Sequence, residues 1–208
     1  MNKEIERKFL VKPFLIKEEL SKAKDIHYHD HAYLVSSQSY QVRVELHRSK
    51  DSAEETVGRI NIKGPRIGVS RIEFEYPIPL NEAKLIHSFC NFKIKKTRYK
   101  IPYEIDPTLT WEVDIYHGDN EGLITAEIEI PEENMTIKYP DWIIREITHD
   151  DRFYNKNLSI RPFNSWSLSE MKQCYSEDTE KFFDVEKEVK NYSDFLKSEL
   201  GEFILNQI

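Results

Sequence analysis

Ionisable residues recur two positions apart along the first 130 residues of the chain. Near the N-terminus stands Glu4-x-Glu6-x-Lys8. Further on come Arg43-x-Glu45, a lone Lys63, Arg71-x-Glu73-x-Glu75, Lys96-x-Arg98, Glu112-x-Asp114 and Glu127-x-Glu129. Residues i and i+2 of a strand share one face, roughly 6–7 Å apart, so each group is a matched set of charges on one surface. Clustered carboxylates alone would repel one another and take up hard divalent cations through oxygen. Clustered Lys and Arg alone would hold phosphate, with Arg offering bidentate forks. Both together describe a site for a polyphosphate with its Mg2+ or Mn2+ ions, in which metals bridge phosphate oxygens to acids and bases neutralise the remaining charge. Lys63-Gly64 is not part of a glycine-rich phosphate loop, so side chains must hold the phosphates.

These sets need strands to carry them, and strand signals dominate up to about residue 150. Residues 2–11 alternate in period two, and Phe14–Lys24 reads as a short amphipathic helix after Pro13. Strand-like runs follow at 25–36, 39–48, 57–63 and 69–79, then a helix over 80–91, then strands at 92–102, 109–117 and 122–130. The short connections favour an antiparallel meander. Charges on an exposed strand face are ordinary, since Lys and Glu blunt sheet edges. Here, however, the opposite faces (Ile5 and Phe9; Ile72, Phe74 and Tyr76; Trp111, Val113 and Ile115; Ile128 and Ile130) are apolar and must be covered. A closed barrel with its charges inward and helices outside satisfies both faces.

The chain of 208 residues carries Lys+Arg 30 against Asp+Glu 37, a formal charge of −7. Residues 169–208 hold ten acids and five bases, so the tail supplies −5 and the remainder −2. That balance argues against a duplex nucleic-acid binder. No stretch approaches the roughly 18 apolar residues of a membrane span, and the N-terminus is no signal peptide, which predicts a cytoplasmic protein. Two cysteines, Cys90 and Cys174, make neither a disulfide framework nor a four-cysteine zinc site. In the tail, Phe182, Val185, Val189, Tyr192, Leu196 and Phe203 follow helical spacing. That helix either packs on its own domain or dimerises, which leaves room for a homodimer. His27, His29 and His31 share one strand face and could bind zinc or copper. The plainer expectation is a polar face near the mouth of the barrel. Trp142 and Trp166 are expected to cover the barrel exterior, and Cys90 to be a small core residue.

Glu4-Ile5-Glu6-Arg7-Lys8-Phe9-Leu10-Val11 resembles the signature of the CYTH superfamily, the triphosphate tunnel metalloenzymes. The resemblance continues, in order, through Ala32-Tyr33-Leu34, Ile62-Lys63-Gly64, Ser70-Arg71-x-Glu73-x-Glu75-Tyr76, Lys96-Thr97-Arg98-Tyr99, Trp111-Glu112-Val113-Asp114, Ala126-Glu127-Ile128-Glu129 and Arg145-Glu146-Ile147-Thr148. It spans about residues 1–160, leaving 161–208 as a helical extension on the barrel or on a partner subunit.

The resemblance implies an α+β, mainly antiparallel β fold: an eight-stranded closed barrel with helices outside. It implies that Lys8, Arg43, Lys63, Arg71, Lys96 and Arg98 hold a small-molecule triphosphate. Glu4, Glu6, Glu127 and Glu129 would hold metal and position a water. Glu73, Glu75, Glu112 and Asp114 would serve as metal ligands or as partners orienting the bases. Tyr33 matches a tyrosine given a proton-acceptor role, though an aromatic that merely hydrogen-bonds the ligand fits as well. Arg145, in the segment resembling the tunnel-plugging helix, would reach the substrate. One departure stands out: where the family shows Arg-x-Arg, this chain has Arg43-Val44-Glu45.

The expected activity is metal-dependent cleavage of the terminal phosphoanhydride of a triphosphate, most simply inorganic triphosphate. A class IV-type adenylate cyclase, a thiamine triphosphatase or an RNA 5′-triphosphatase are the alternatives within the family. Outside it stand a non-catalytic polyphosphate-binding module and a scaffold acting through the acidic tail.

Overall fold

The computed structural model describes residues 3–37, 39–50, 56–65, 68 and 70–176, without the side chains of residues 3, 4, 14, 36, 70, 168, 172 and 176. The predicted helix over 182–203 lies outside the described residues. Nine strands form one sheet: β1 (Lys3–Val11), β2 (Asp25–Ser36), β3 (Gln41–Ser49), β4 (Val57–Lys63), β5 (Ser70–Ile78), β6 (Lys93–Pro102), β7 (Thr110–His117), β8 (Ile124–Glu129) and β9 (Ile143–Glu146). Four α-helices accompany them: α1 (Pro13–Leu20), α2 (Leu80–Phe89), α3 (Asn155–Ile160) and α4 (Leu168–Ser176). The strand order is β5-β4-β3-β2-β6-β7-β8-β1-β9, and the pairings are antiparallel.

The two flanks of this sheet meet, but only briefly. Lys3, Glu4 and Ile5 of β1 pair with Ile72, Arg71 and Ser70 of β5. Beyond Ile5 the same edge of β1 turns to β9, with Phe9 opposite Glu146 and Leu10 opposite Arg145. The expected closed barrel of eight strands is therefore corrected to a curled nine-stranded sheet that is not closed along the length of its strands. β9 is the cause, because it takes the half of β1 that a complete closure would need. The segment around Arg145, expected as a plugging helix, is this strand.

Period-two alternation puts the apolar members outside the sheet. Phe9, Ile101, Trp111, Val113 and Ile128 form a core there with Ile16 and Leu20 of α1 and with Trp142. Trp111 meets Phe9 and Trp142 edge-on at 5.4 and 5.3 Å. α2 covers β3 and β4 through Ala83, so closely that a Cβ on Gly58 would stand 2.4 Å from the Ala83 Cβ. One expected cover is missing among the described residues: Ile72, Phe74 and Tyr76 of β5 stay 43–52% exposed.

The inner face is graded. Along β1 it runs Glu6, Lys8, Leu10; along β6, Arg98, Lys96, Ile94; along β7, Asp114, Tyr116; along β8, Glu127, Thr125, then Leu123 just before the strand. The apolar ends Leu10, Ile94, Tyr116 and Leu123 join Ile147, Phe153, Leu158, Phe163, Trp166 and Cys174 in a second core. The chain after β9 thus stops one end of the curled sheet with a hydrophobic plug, and the charged levels lie behind it.

Candidate active site

A cavity of about 260 Å³ occupies the charged part of the inner face. Eleven of the residues singled out from the sequence line it: Glu6, Lys8, Tyr33, Arg43, Lys63, Arg71, Glu73, Glu75, Lys96, Arg98 and Glu127. Strand register explains the convergence. Lys8 lies opposite Glu127 across β1 and β8, and Arg98 opposite Asp114 across β6 and β7. Lys63 lies opposite Glu73 across β4 and β5.

The bases are held by carboxylates rather than left loose. Arg98 donates through Nε and Nη2 to both Asp114 oxygens at 2.7 and 2.6 Å, through Nη2 to Glu127 at 2.5 Å, and through Nη1 to Glu112. Lys96 Nζ lies 2.5 Å from Asp114 Oδ2, and Lys8 Nζ donates to Glu127 Oε1 at 3.0 Å and to Tyr116 at 3.3 Å. Lys63 pairs with Glu73 at 2.6 Å. A buried charge survives only with such partners. Burial opposes the Lys8 ammonium, but Glu127, Tyr116 and Asp114 overcome it and raise its pKa. Burial opposes the Glu127 carboxylate too, and Lys8, Arg98 and Lys96 bring it well below the usual range. The wall is an array of paired opposite charges, in which burial and then Arg98 lower the pKa of Lys96.

Tyr33 is buried beside Arg43, Arg71 and Lys8. Burial raises its pKa, and the three cations only partly offset the rise. Its phenol therefore stays protonated near neutral pH, which argues against the proton-acceptor role.

The acids divide into two groups. Asp114, wholly buried, lies behind Lys96 and Arg98 and orients them instead of facing the cavity. Glu129 stands at the exposed end of β8, where burial and then the nearby charges of Glu112, Glu6 and Glu73 raise its pKa. These acids thus repel a charge on Glu129, and carboxylate oxygens so placed are the donors a hard divalent cation prefers. Glu4, expected among them, has its side chain outside the described residues. Arg145 does not line the cavity. Its Nε donates to the Cys174 carbonyl at 3.0 Å and its Nη2 to Asp150 at 3.4 Å, tying β9 to α4.

Further lining residues are Thr148, Tyr154 and Asn155, assigned no role from the sequence, Lys156, not singled out there, and His29 and His31 of the histidine face on β2. His29 Nδ1 lies 2.6 Å from Glu45 Oε1, and His31 Nε2 lies 3.3 Å from Glu45 Oε2. The histidine face expected near the tunnel mouth instead reaches inward, and His31 is 2% exposed. Period two gave the shared face, but its partner Glu45 follows from the β2–β3 register, which the sequence does not print.

Comparison with known proteins gives a consistent picture. A CYTH domain family model matches residues 2–157. An inorganic triphosphatase of Acetivibrio thermocellus is 42% identical over 168 residues, covering 80% of this chain and 99% of that protein. An inorganic triphosphatase of Nitrosomonas europaea is 31% identical over 98 residues, covering 45% of this chain and 62% of that protein. The crystal structure of an inorganic triphosphatase superposes with a TM-score of 0.54 at 24% identity, covering 77% of this chain and 96% of that one.

Proposed function

The chain belongs to the CYTH domain family, and on that premise we propose that it hydrolyses the terminal phosphoanhydride of a triphosphate, inorganic triphosphate before all others. The observation that carries this reading is the convergence of Lys8, Arg43, Lys63, Arg71, Lys96 and Arg98 on one cavity stopped at its inner end by apolar side chains. Such a cavity matches a compact polyanion with little organic body. The 42% identical inorganic triphosphatase supports the same substrate.

In this reading the curled sheet works as a tunnel, with the three-pair seam between β1 and β5 as its closure. Residues 1–160 form the tunnel domain, and 161–208 the helical extension that packs on it or on a partner subunit. Lys8, Lys96 and Arg98, oriented by Glu127 and Asp114, take up the charge of the phosphates and of the leaving group. Because they are already fixed, little reorganisation is needed as charge shifts in the reaction. Arg43, Lys63 and Arg71 hold the opposite side of the substrate. Tyr33 donates a hydrogen bond to a phosphate oxygen.

A divalent ion, Mg2+ or Mn2+, held by Glu6, Glu73, Glu112 and Glu129 with Glu4, would polarise phosphoryl oxygens and activate water. We read the protein as a cytoplasmic enzyme acting on a small molecule.

The test is phosphate release from inorganic triphosphate, ATP and thiamine triphosphate, each with Mg2+ or Mn2+, with cyclic AMP measured in parallel. Rapid release from inorganic triphosphate with little from ATP is expected. Cyclic AMP with pyrophosphate would make the protein a cyclase. Triphosphate binding with no turnover would make it a binding module. Glu6→Gln should lose turnover while still binding triphosphate, and full turnover in that variant would remove Glu6 from the metal site.

A further inference from the structure

We propose that His29, His31 and Glu45 form a second metal site, distinct from the oxygen-rich acidic one, that takes a borderline transition-metal ion of the Zn2+ class. One ligand atom from each of the three lies within 4.8 Å of the others. The pairing of β2 with β3 builds the set: His31 stands opposite Glu45 and His29 opposite His47, so period-two alternation gathers all four on one face. This site goes beyond the triphosphatase reading and does not depend on it.

Three observations point to a ligand here. First, His31 is 2% exposed and its Nδ1 is buried without a hydrogen-bond partner, its Nε2 has only the 3.3 Å contact with Glu45, and His29 Nε2 is buried without a partner as well. Imidazole nitrogens sealed from water without a partner cost free energy that a bound ion would offset. Second, Glu45 places a carboxylate between the two rings, with Oε1 2.6 Å from His29 Nδ1 and Oε2 3.3 Å from His31 Nε2. Third, all three side chains line the cavity, so an ion has access to them.

Two imidazoles and one carboxylate match the preference of Zn2+ and Co2+ for nitrogen with oxygen, whereas Mg2+ keeps to oxygen. Ligand bonds of about 2.0–2.2 Å require the ring and carboxylate atoms to draw in by about an ångström, within reach of side-chain rotation. The fourth position would open to the cavity. Arg43, 3.6 Å from Glu45 Oε2, would remain as an outer partner of the coordinating carboxylate. The ion would place positive charge where the chain has Glu45 beside Arg43.

The experiment is titration of chelator-treated full-length protein with Co2+ in excess Mg2+, read by visible d–d absorption, with thermal melting alongside. One equivalent of Co2+ should bring in the bands of a low-coordinate nitrogen–oxygen site and raise the melting temperature. His31→Gln and Glu45→Gln should each weaken Co2+ binding by about 100-fold. Glu6→Gln should leave the bands intact, even where it abolishes hydrolysis. His29→Gln, at a half-buried position, carries the same prediction as His31→Gln should the latter fail to fold. Absence of d–d bands in the parent protein would overturn the site. So would bands that survive in folded His29→Gln or His31→Gln, or bands lost in Glu6→Gln. None of these outcomes bears on the triphosphatase reading, which is tested by phosphate release.

Discussion

Lys96 and Asp114 face each other 2.5 Å apart on adjacent strands, and their side chains are 3% and 0% exposed. Neither charge could remain ionised at that depth alone. Removing Asp114 strips Lys96 and Arg98 of the buried partner they share, an effect of about 3 kcal/mol. Asp114→Asn should therefore lower unfolding stability by about 3 kcal/mol in denaturant titration and cut hydrolysis as Arg98 and Lys96 lose their shared anchor. An unchanged denaturation midpoint would remove Asp114 from this structural role.

The same carboxylate sets an acid limit. Burial opposes its charge, yet Arg98 and then Lys96 bring its pKa from an ordinary 3.8 down to about 2. A depressed folded-state pKa contributes stability that is complete above the unfolded value and lost as pH falls toward the folded one. The melting temperature should therefore drop between about pH 4 and pH 2. Asp114→Asn should flatten that drop. An equally steep profile in the variant would assign the acid transition to other groups.

Tyr33 offers a kinetic test. As a protonated donor it contributes about 1 kcal/mol of binding, so Tyr33→Phe should raise KM about fivefold and change kcat little. The acid-side rise of the rate with pH, which a general base would govern, should not move. Its loss in Tyr33→Phe would return Tyr33 to the role of base.

Arg145 separates structure from substrate binding. Its bonds to the Cys174 carbonyl and to Asp150 join β9 to α4. Arg145→Ala should cost about 2 kcal/mol of stability and leave KM for triphosphate unchanged. A large rise in KM with normal stability would place Arg145 at the substrate after all.

Much of this was legible in the chain because strand charges announce their own face. Glu6 and Lys8, Lys96 and Arg98, and Arg71, Glu73 and Glu75 alternate with apolar neighbours, and each pair or triplet lands on the inner surface. β2 and β4 fall at 25–36 and 57–63 as the alternation predicts. What escaped depends on register and on short segments. β9 has four residues, too few for a period to show, and it diverts the edge of β1 from full closure. Asp114 obeys the same spacing as Glu112, yet only the β6–β7 register reveals that it braces Lys96 and Arg98. The His29–His31–Glu45 group depends on a cross-strand pairing that no linear spacing encodes.

The cavity wall has a consequence for traffic in and out of the molecule. Its lining carries eight Lys or Arg against five Glu, while the chain as a whole bears −7. The cavity is thus cationic within a chain of net negative charge, of which residues 169–208 supply −5. At physiological salt, screening confines each field to about 8 Å, so the attraction is felt only at the entrance. A polyanion gains no long-range guidance toward this enzyme and is captured only on reaching the rim. A departing phosphate likewise escapes that field within about 8 Å of the rim.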